Sequence, residues 1–313
     1  MDIFSTYGTI LIIMAASFGF FMAWGVGAND VANAMGTSVG SKALTIKQAI
    51  LIAMVFEFAG AYLAGGEVTS TIRKGIVDSA VFTDQPDLLV FGMLSALLAA
   101  GTWLAVASYM GWPVSTTHSI VGAIVGFAAV GVSYDAVNWT KVSTIVASWV
   151  VSPVMAGTIS FAIFRSVQRL ILIQDNPFDR AKKYAPMYMF AVGFLMAMVT
   201  LLKGLKHVGL DLSIEESMFY AVGVAAVITV IGVVVLSRVK RVIRSEQHDL
   251  ISVEKVFGVL MLFTACAMAF AHGSNDVANA IGPLAAVNGI IESGGMVGQK
   301  SATPNWILLL GGV

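Results

Sequence analysis

Gly27-Ala28-Asn29-Asp30-Val31-Ala32-Asn33-Ala34-Met35-Gly36 returns near the other end of the chain as Gly273-Ser274-Asn275-Asp276-Val277-Ala278-Asn279-Ala280-Ile281-Gly282. The offset from Asn29 to Asn275, 246 positions, holds through the decapeptide without a gap. Each copy follows a hydrophobic run and sets an acid and two amides between glycines. A duplication on this scale fixes the architecture before any single residue does.

The composition supplies the solvent. Of 313 residues, 58% are hydrophobic and 12% charged, with mean hydropathy +0.86, whereas a soluble domain carries about 25% charged residues. So little charge over the whole length means that the apolar surface faces lipid. The formal net charge is zero, which gives no electrostatic case for nucleic acid. Cys266 is the only cysteine; it cannot form an internal disulfide and reads as a small buried hydrophobe. The N-terminus, Met1-Asp2-Ile3, lacks the basic region of a signal peptide, so the first apolar run reads as a retained membrane segment.

A membrane-spanning helix needs about 20 mainly apolar residues. Stretches near 4–28, 46–66, 88–109, 114–134, 142–164, 186–206, 217–236 and 253–272 meet that requirement. The connection 165–185 carries Arg165, Arg169, Arg180, Lys182 and Lys183, and 237–252 carries Arg238, Lys240, Arg241 and Arg244. The acids Glu67, Asp78, Asp84, Asp87, Asp211, Glu215 and Glu216 fall in 67–87 and 207–216, the former also holding Arg73 and Lys74. The Lys/Arg excess places the first two connections in the cytoplasm, in a cell (plasma or inner) membrane, and the N-terminus outside. Lys42 and Lys47 then fall inside. The two decapeptides enter from opposite sides, and they still do so if 88–134 is a re-entrant hairpin turning at Gly111-Trp112-Pro113. The expected fold is an all-α polytopic transmembrane bundle with inverted-topology repeats and broken or re-entrant helices, a pointer to secondary transport. Residues 1–164 form the first repeat, 165–252 two basic loops with two spans, and 253–313 the start of an inverted second repeat, whose C-terminal part is expected to be missing from this sequence.

Asp30, Glu57 and Asp276 are the acids at membrane depth, and no Lys or Arg shares their spans. A charge there costs at least about 2.5–3.5 kcal/mol, so these acids are protonated or meet cations from solution. Asn29, Asp30 and Asn33, with Asn275, Asp276 and Asn279 in the twin, offer oxygens suited to a hard monovalent cation. The glycines are expected to let the helix open there and free its carbonyls. Ca²⁺ would want more carboxylates, and EF-hand spacing is absent.

Gly111-Trp112-Pro113-Val114-Ser115-Thr116-Thr117-His118-Ser119 reads as a helix start at membrane depth. Free N–H groups and hydroxyls at such an end can hold a tetrahedral oxyanion without burying a positive charge; the alternative is an ordinary capped helix start. His118 reads first as a histidine satisfied within the bundle, Gly122 and Gly126 as a close helix contact, and the Met-rich run Met187–Met198 as lipid-facing or core filler.

The two decapeptides and Pro113-Val114-Ser115-Thr116-Thr117-His118, in that order along essentially the whole chain, resemble the inorganic phosphate transporter (PiT) family. The resemblance implies a symporter, not an enzyme, that moves inorganic phosphate with Na⁺ or H⁺ across a lipid bilayer, usually as a homodimer and without a bound cofactor. It makes Asp30, Asn33, Glu57, Asp276 and Asn279 candidates for cation coordination, with Na⁺ at Asp30, Glu57 and Asp276, and Ser115, Thr116 and Thr117 candidates for phosphate. The family's second Pro-x-Ser-Thr-Thr-His copy would fall near position 360, beyond Val313. Other readings are a sulfate or related oxyanion permease, a channel or scaffold, and an intramembrane serine hydrolase built on Ser115 and His118.

Overall fold

The computed structural model describes residues 3–65, 75–77, 79–203, 212–241, 246–297 and 303–313. Glu67, Arg73, Lys74, Asp78, Asp211 and Arg244, read above for loop charge, lie outside them. Nine α-helices follow in order among the described residues: α1 Ile3–Gly40, α2 Ile46–Ala64, α3 Pro86–Met110, α4 Thr116–Gly131, α5 Trp139–Val167, α6 Pro177–Lys203, α7 Ile214–Ser237, α8 Glu246–Glu292 and α9 Asn305–Gly312. Seven of them, all but α4 and α9, are long and apolar enough to cross a membrane.

Local chemistry explains where the elements start and stop. Thr45 with Gln48, and Ser213 with Glu216, form capping boxes that begin α2 and α7. Asn138 accepts from the Lys141 N–H to begin α5. Gly111, at φ 70°, ends α3 in the left-handed conformation that glycine adopts without strain.

α1 and α8 are antiparallel and form the centre of the molecule. Gly8 packs against Ile291 and Gly19 against Leu284. α3 runs parallel to α1, since Gly101 meets Phe21 and Met22 while Leu104 meets Gly25. The main core joins α1, α3, α4 and α8 through Met22, Leu97, Leu104, Ile120, Ile281 and Leu284. A separate cluster joins the α5–α6 connection to α6, α7 and the start of α8.

The fourth expected span, 114–134, is instead a helix of 16 residues, about 24 Å long and too short for a bilayer core of about 30 Å. It is the returning arm of a hairpin with α3. The segment after α4 comes back beside the segment before α3, where Val77 bridges Val137 and the Asn138 N–H donates to the Ile76 carbonyl. The tip of this hairpin lies beside Asn29, well short of the end of α1 at Gly40.

Two expectations fail. The helices do not open at the decapeptides: α1 and α8 run unbroken through both. At membrane depth a freed backbone group has no water to bond to, and a continuous helix keeps these groups paired, except at the Asn279 carbonyl, for which Pro283 in α8 has no N–H to donate. The break lies in the 111–115 turn instead. Nor do Gly122 and Gly126 mark a close helix contact among the described residues, where a Cβ at either would meet open space.

The apolar exterior is what lipid demands. α5 has no buried residue, with Val150, Val154 and Phe161 each at least 64% exposed. Met187 is exposed and Met189 fully buried, so the Met-rich run serves both roles assigned to it. The two repeated segments differ in their surroundings. Met22 is 0% exposed under α3, whereas its twin Met268 is 54% exposed.

Candidate cation and anion site

Three helices bring three carboxylates to one imidazole. His272 and Asp276, one turn apart on α8, share a face, and α1 and α2 present Asp30 and Glu57 to it. His272 Nε2 lies 3.5 Å from Asp30 Oδ2 and 3.4 Å from Asp276 Oδ2, and Nδ1 lies 3.1 Å from Glu57 Oε1. Glu57 reaches this point because α2 and α8 cross almost backbone to backbone. A Cβ at Gly273 would collide with the main chain of Glu57, and one at Gly60 with the carbonyl of Phe270. The side chains of His272, Asp30 and Glu57 are 9%, 13% and 13% exposed, and that of Asp276 is 27% exposed.

His272 is not among the residues singled out by the sequence, because the basic partner expected for buried acids is Lys or Arg. A signal was present. The residue before Gly273 is His272, whereas the equivalent residue before Gly27 is Val26.

The start of α4 meets the second decapeptide. The Thr116 and Thr117 hydroxyls donate to Asp276 Oδ1, each at 3.4 Å. Asn279 Nδ2 donates to Thr117 Oγ1 at 3.0 Å, and to Thr116 Oγ1 and Asp276 Oδ1 at 3.3 Å. The candidate anion hydroxyls and a candidate cation carboxylate therefore belong to one site. Asp276 stands where the N–H groups and dipole of α4 favour negative charge. Ser115 caps α4 by accepting from the His118 N–H at 3.3 Å.

The other candidates are placed differently. Asn29 holds the hairpin tip: its Nδ2 donates to the Trp112 carbonyl at 3.0 Å and to Ser108 Oγ at 3.4 Å, and its Oδ1 accepts from the Val114 N–H at 3.2 Å. Its twin Asn275 is exposed and bonds only within its own turn, to the Ala271 carbonyl and Ser274 Oγ. Asn33 is exposed on α1 and joins none of these contacts. Asn29→Leu should lower stability by about 1–3 kcal/mol by leaving the tip's polar groups unpaired. A thermal unfolding midpoint equal to wild type would show that the tip is held by something else.

No Ser–His dyad forms. The His118 ring lies against Trp149 with centroids 3.7 Å apart, and Ser115 meets the main chain of His118 rather than its imidazole.

The fold and site together define a polytopic helical membrane protein that presents carboxylates and hydroxyls to one internal point. Residues 26–313 match the model of the phosphate transporter family, and the chain belongs to that family. It is 52% identical to a candidate phosphate permease of Haemophilus influenzae, over 99% of this chain and 74% of the relative. It is 42% identical to the chloroplastic inorganic phosphate transporter 2-1 of Arabidopsis thaliana, over 98% of this chain and 54% of that protein. A solved structure titled as the sodium-dependent phosphate transporter superposes with a TM-score of 0.88 at 40% identity, covering 97% of this chain and 73% of that one. The family and these relatives are transporters, which sets aside the hydrolase reading.

Proposed function

We propose that this chain carries inorganic phosphate by symport, with Na⁺ as the coupling ion in preference to H⁺. The observation that carries the reading is the contact of Thr116 and Thr117 with Asp276, inside a group of three carboxylates and one imidazole. A single imidazole, charged or neutral, cannot balance three carboxylates, and phosphate would add further negative charge beside them. Anion entry is therefore unfavourable unless cations enter with it. A cation on Asp276 would also weaken its hold on the two threonine hydroxyls, leaving them and the α4 N–H groups to donate to phosphate. Na⁺ is favoured because the structural neighbour is titled as sodium-dependent.

The remaining assignments belong to the same proposal. Asp30, Glu57 and Asp276 are the coupling groups, with Asn279 orienting the threonines. The cytoplasmic side is that of Arg165, Arg169, Lys182, Lys183, Arg238 and Lys240, which leaves the N-terminus outside the cell membrane. The resemblance also implies a homodimer.

The direct test is radiolabelled phosphate binding to the purified protein, in NaCl and in choline chloride, with sulfate as competitor. The expected result is saturable binding that requires Na⁺ and resists sulfate. Equal binding in choline would remove the coupling, and full displacement by equimolar sulfate would favour the general oxyanion permease.

A further inference from the structure

We propose that the groove between the α1–α2 turn, α2 and the first half of α8 binds an anionic phospholipid, with its phosphodiester between Lys42 and Lys255 and an acyl chain along α2. The groove lies apart from the carboxylate–imidazole cluster and uses none of the residues assigned to cation or phosphate.

Three elements build the groove. Ser41 Oγ meets Met261 Sδ at 3.0 Å, which ties the end of α1 to α8. Leu44, on its wall, belongs to a small core with Ala49 of α2 and Ala265 of α8. The cavity measures about 1220 Å³, more than the clefts of about 300–1,000 Å³ that hold most small molecules. Leu51, Ile52, Phe257 and Leu262 give it apolar walls. Leu51 is exposed together with Met54 and Val55, three and four residues on along α2, so the groove continues onto a face that lipid covers. An acyl chain can enter from that side.

The rim is basic. Lys42 and Lys255 line the groove with one acid, Glu254, which leaves a single net positive charge. A phosphodiester with an uncharged headgroup supplies the matching negative charge, and its headgroup hydroxyls can donate to Glu254. Lys42 adds an independent observation. At φ 61° it is the only residue other than glycine with positive φ among the described residues. Its N–H donates to the Val39 carbonyl and the Leu44 N–H to the Ser38 carbonyl, a helix-ending turn that glycine would make without strain. A lysine in the left-handed conformation costs free energy that the turn does not recover; an ammonium facing an anionic headgroup does. The location agrees. α8 follows the basic connection of Arg238, Lys240 and Arg241, at the end of the bundle assigned to the cytoplasm, whose leaflet carries the anionic surface.

The test adds phosphatidylglycerol, phosphatidylethanolamine or phosphatidylcholine to the 313-residue chain in detergent. Native mass spectrometry reads the bound lipid, and a thermal melt reads the unfolding midpoint. Phosphatidylglycerol is expected to stay bound and to raise the midpoint, with the two zwitterionic lipids at least about fivefold weaker. Without lipid, Lys42→Gly should melt at or above the wild-type temperature, because the turn is relieved, yet lose most of the phosphatidylglycerol shift. Each lysine beside an anionic headgroup is worth about fivefold in affinity, so Lys42→Gly combined with Lys255→Gln should bind about 25-fold more weakly. Equal binding of the three lipids, no bound lipid, or a wild-type phosphatidylglycerol response in Lys42→Gly or in the double variant would overturn the proposal. The comparison of lipids on wild type decides the matter even if a variant fails to fold.

Discussion

Asp276→Asn is expected to reduce cation-dependent phosphate uptake to background. The substitution keeps the side chain's shape and an oxygen that can accept from Thr116 and Thr117, so it removes the charge and little else. A carboxylate about 4 Å from a monovalent cation contributes about 4 kcal/mol at an effective dielectric near 20, equivalent to about a thousandfold in cation affinity. Asp30→Asn should act in the same direction from the α1 side. The measurement is initial-rate phosphate uptake as a function of external Na⁺. Unchanged rates with an unchanged Na⁺ dependence would show that the coupling ion binds elsewhere.

The second large effect is expected at a glycine. Gly273→Ala places a Cβ against the carbonyl oxygen, carbonyl carbon and Cα of Glu57. These are backbone atoms, so no rotamer change relieves the contact and α2 must move away from α8. Overpacking of a rigid contact costs about 1–3 kcal/mol or more, and the displacement carries Glu57 away from His272. The variant should therefore lose both thermal stability and uptake. The twin substitution is the control. A Cβ at Gly27 meets nothing within 4 Å, and alanine is a better helix former than glycine by about 1 kcal/mol. Gly27→Ala should thus equal or exceed wild type in thermal stability. Equal behaviour of the two variants would mean that the α2–α8 crossing is looser than described.

Much of this architecture is legible in the sequence, for identifiable reasons. The duplicated decapeptide places Asp30 and Asp276 on two long helices of opposite direction, and the Ser/Thr run after Pro113 marks the start of α4, though not its short length. What the sequence hides depends on tertiary contact. Glu57 joins the aspartates only because Gly60 and Gly273 permit a backbone crossing, and nothing in a one-dimensional pattern pairs those two glycines. His272 sits beside the repeat, outside its shared register, and its meaning appears only when three carboxylates surround it. The amide of Asn29 looks like an ion ligand by composition, but its position makes it the anchor of the hairpin tip. Gly27 and Gly36 permit a break in the helix; the absence of water at that depth argues for the unbroken form.

The central claim is that phosphate moves only in company with a cation neutralising the Asp30, Glu57 and Asp276 carboxylates. Phosphate uptake into proteoliposomes of this protein, at equal phosphate inside and out, tests it most directly. An inward Na⁺ gradient should drive accumulation above the external concentration, and collapse of that gradient should release it. Phosphate that merely equilibrates, at the same rate with or without the gradient, would contradict the account.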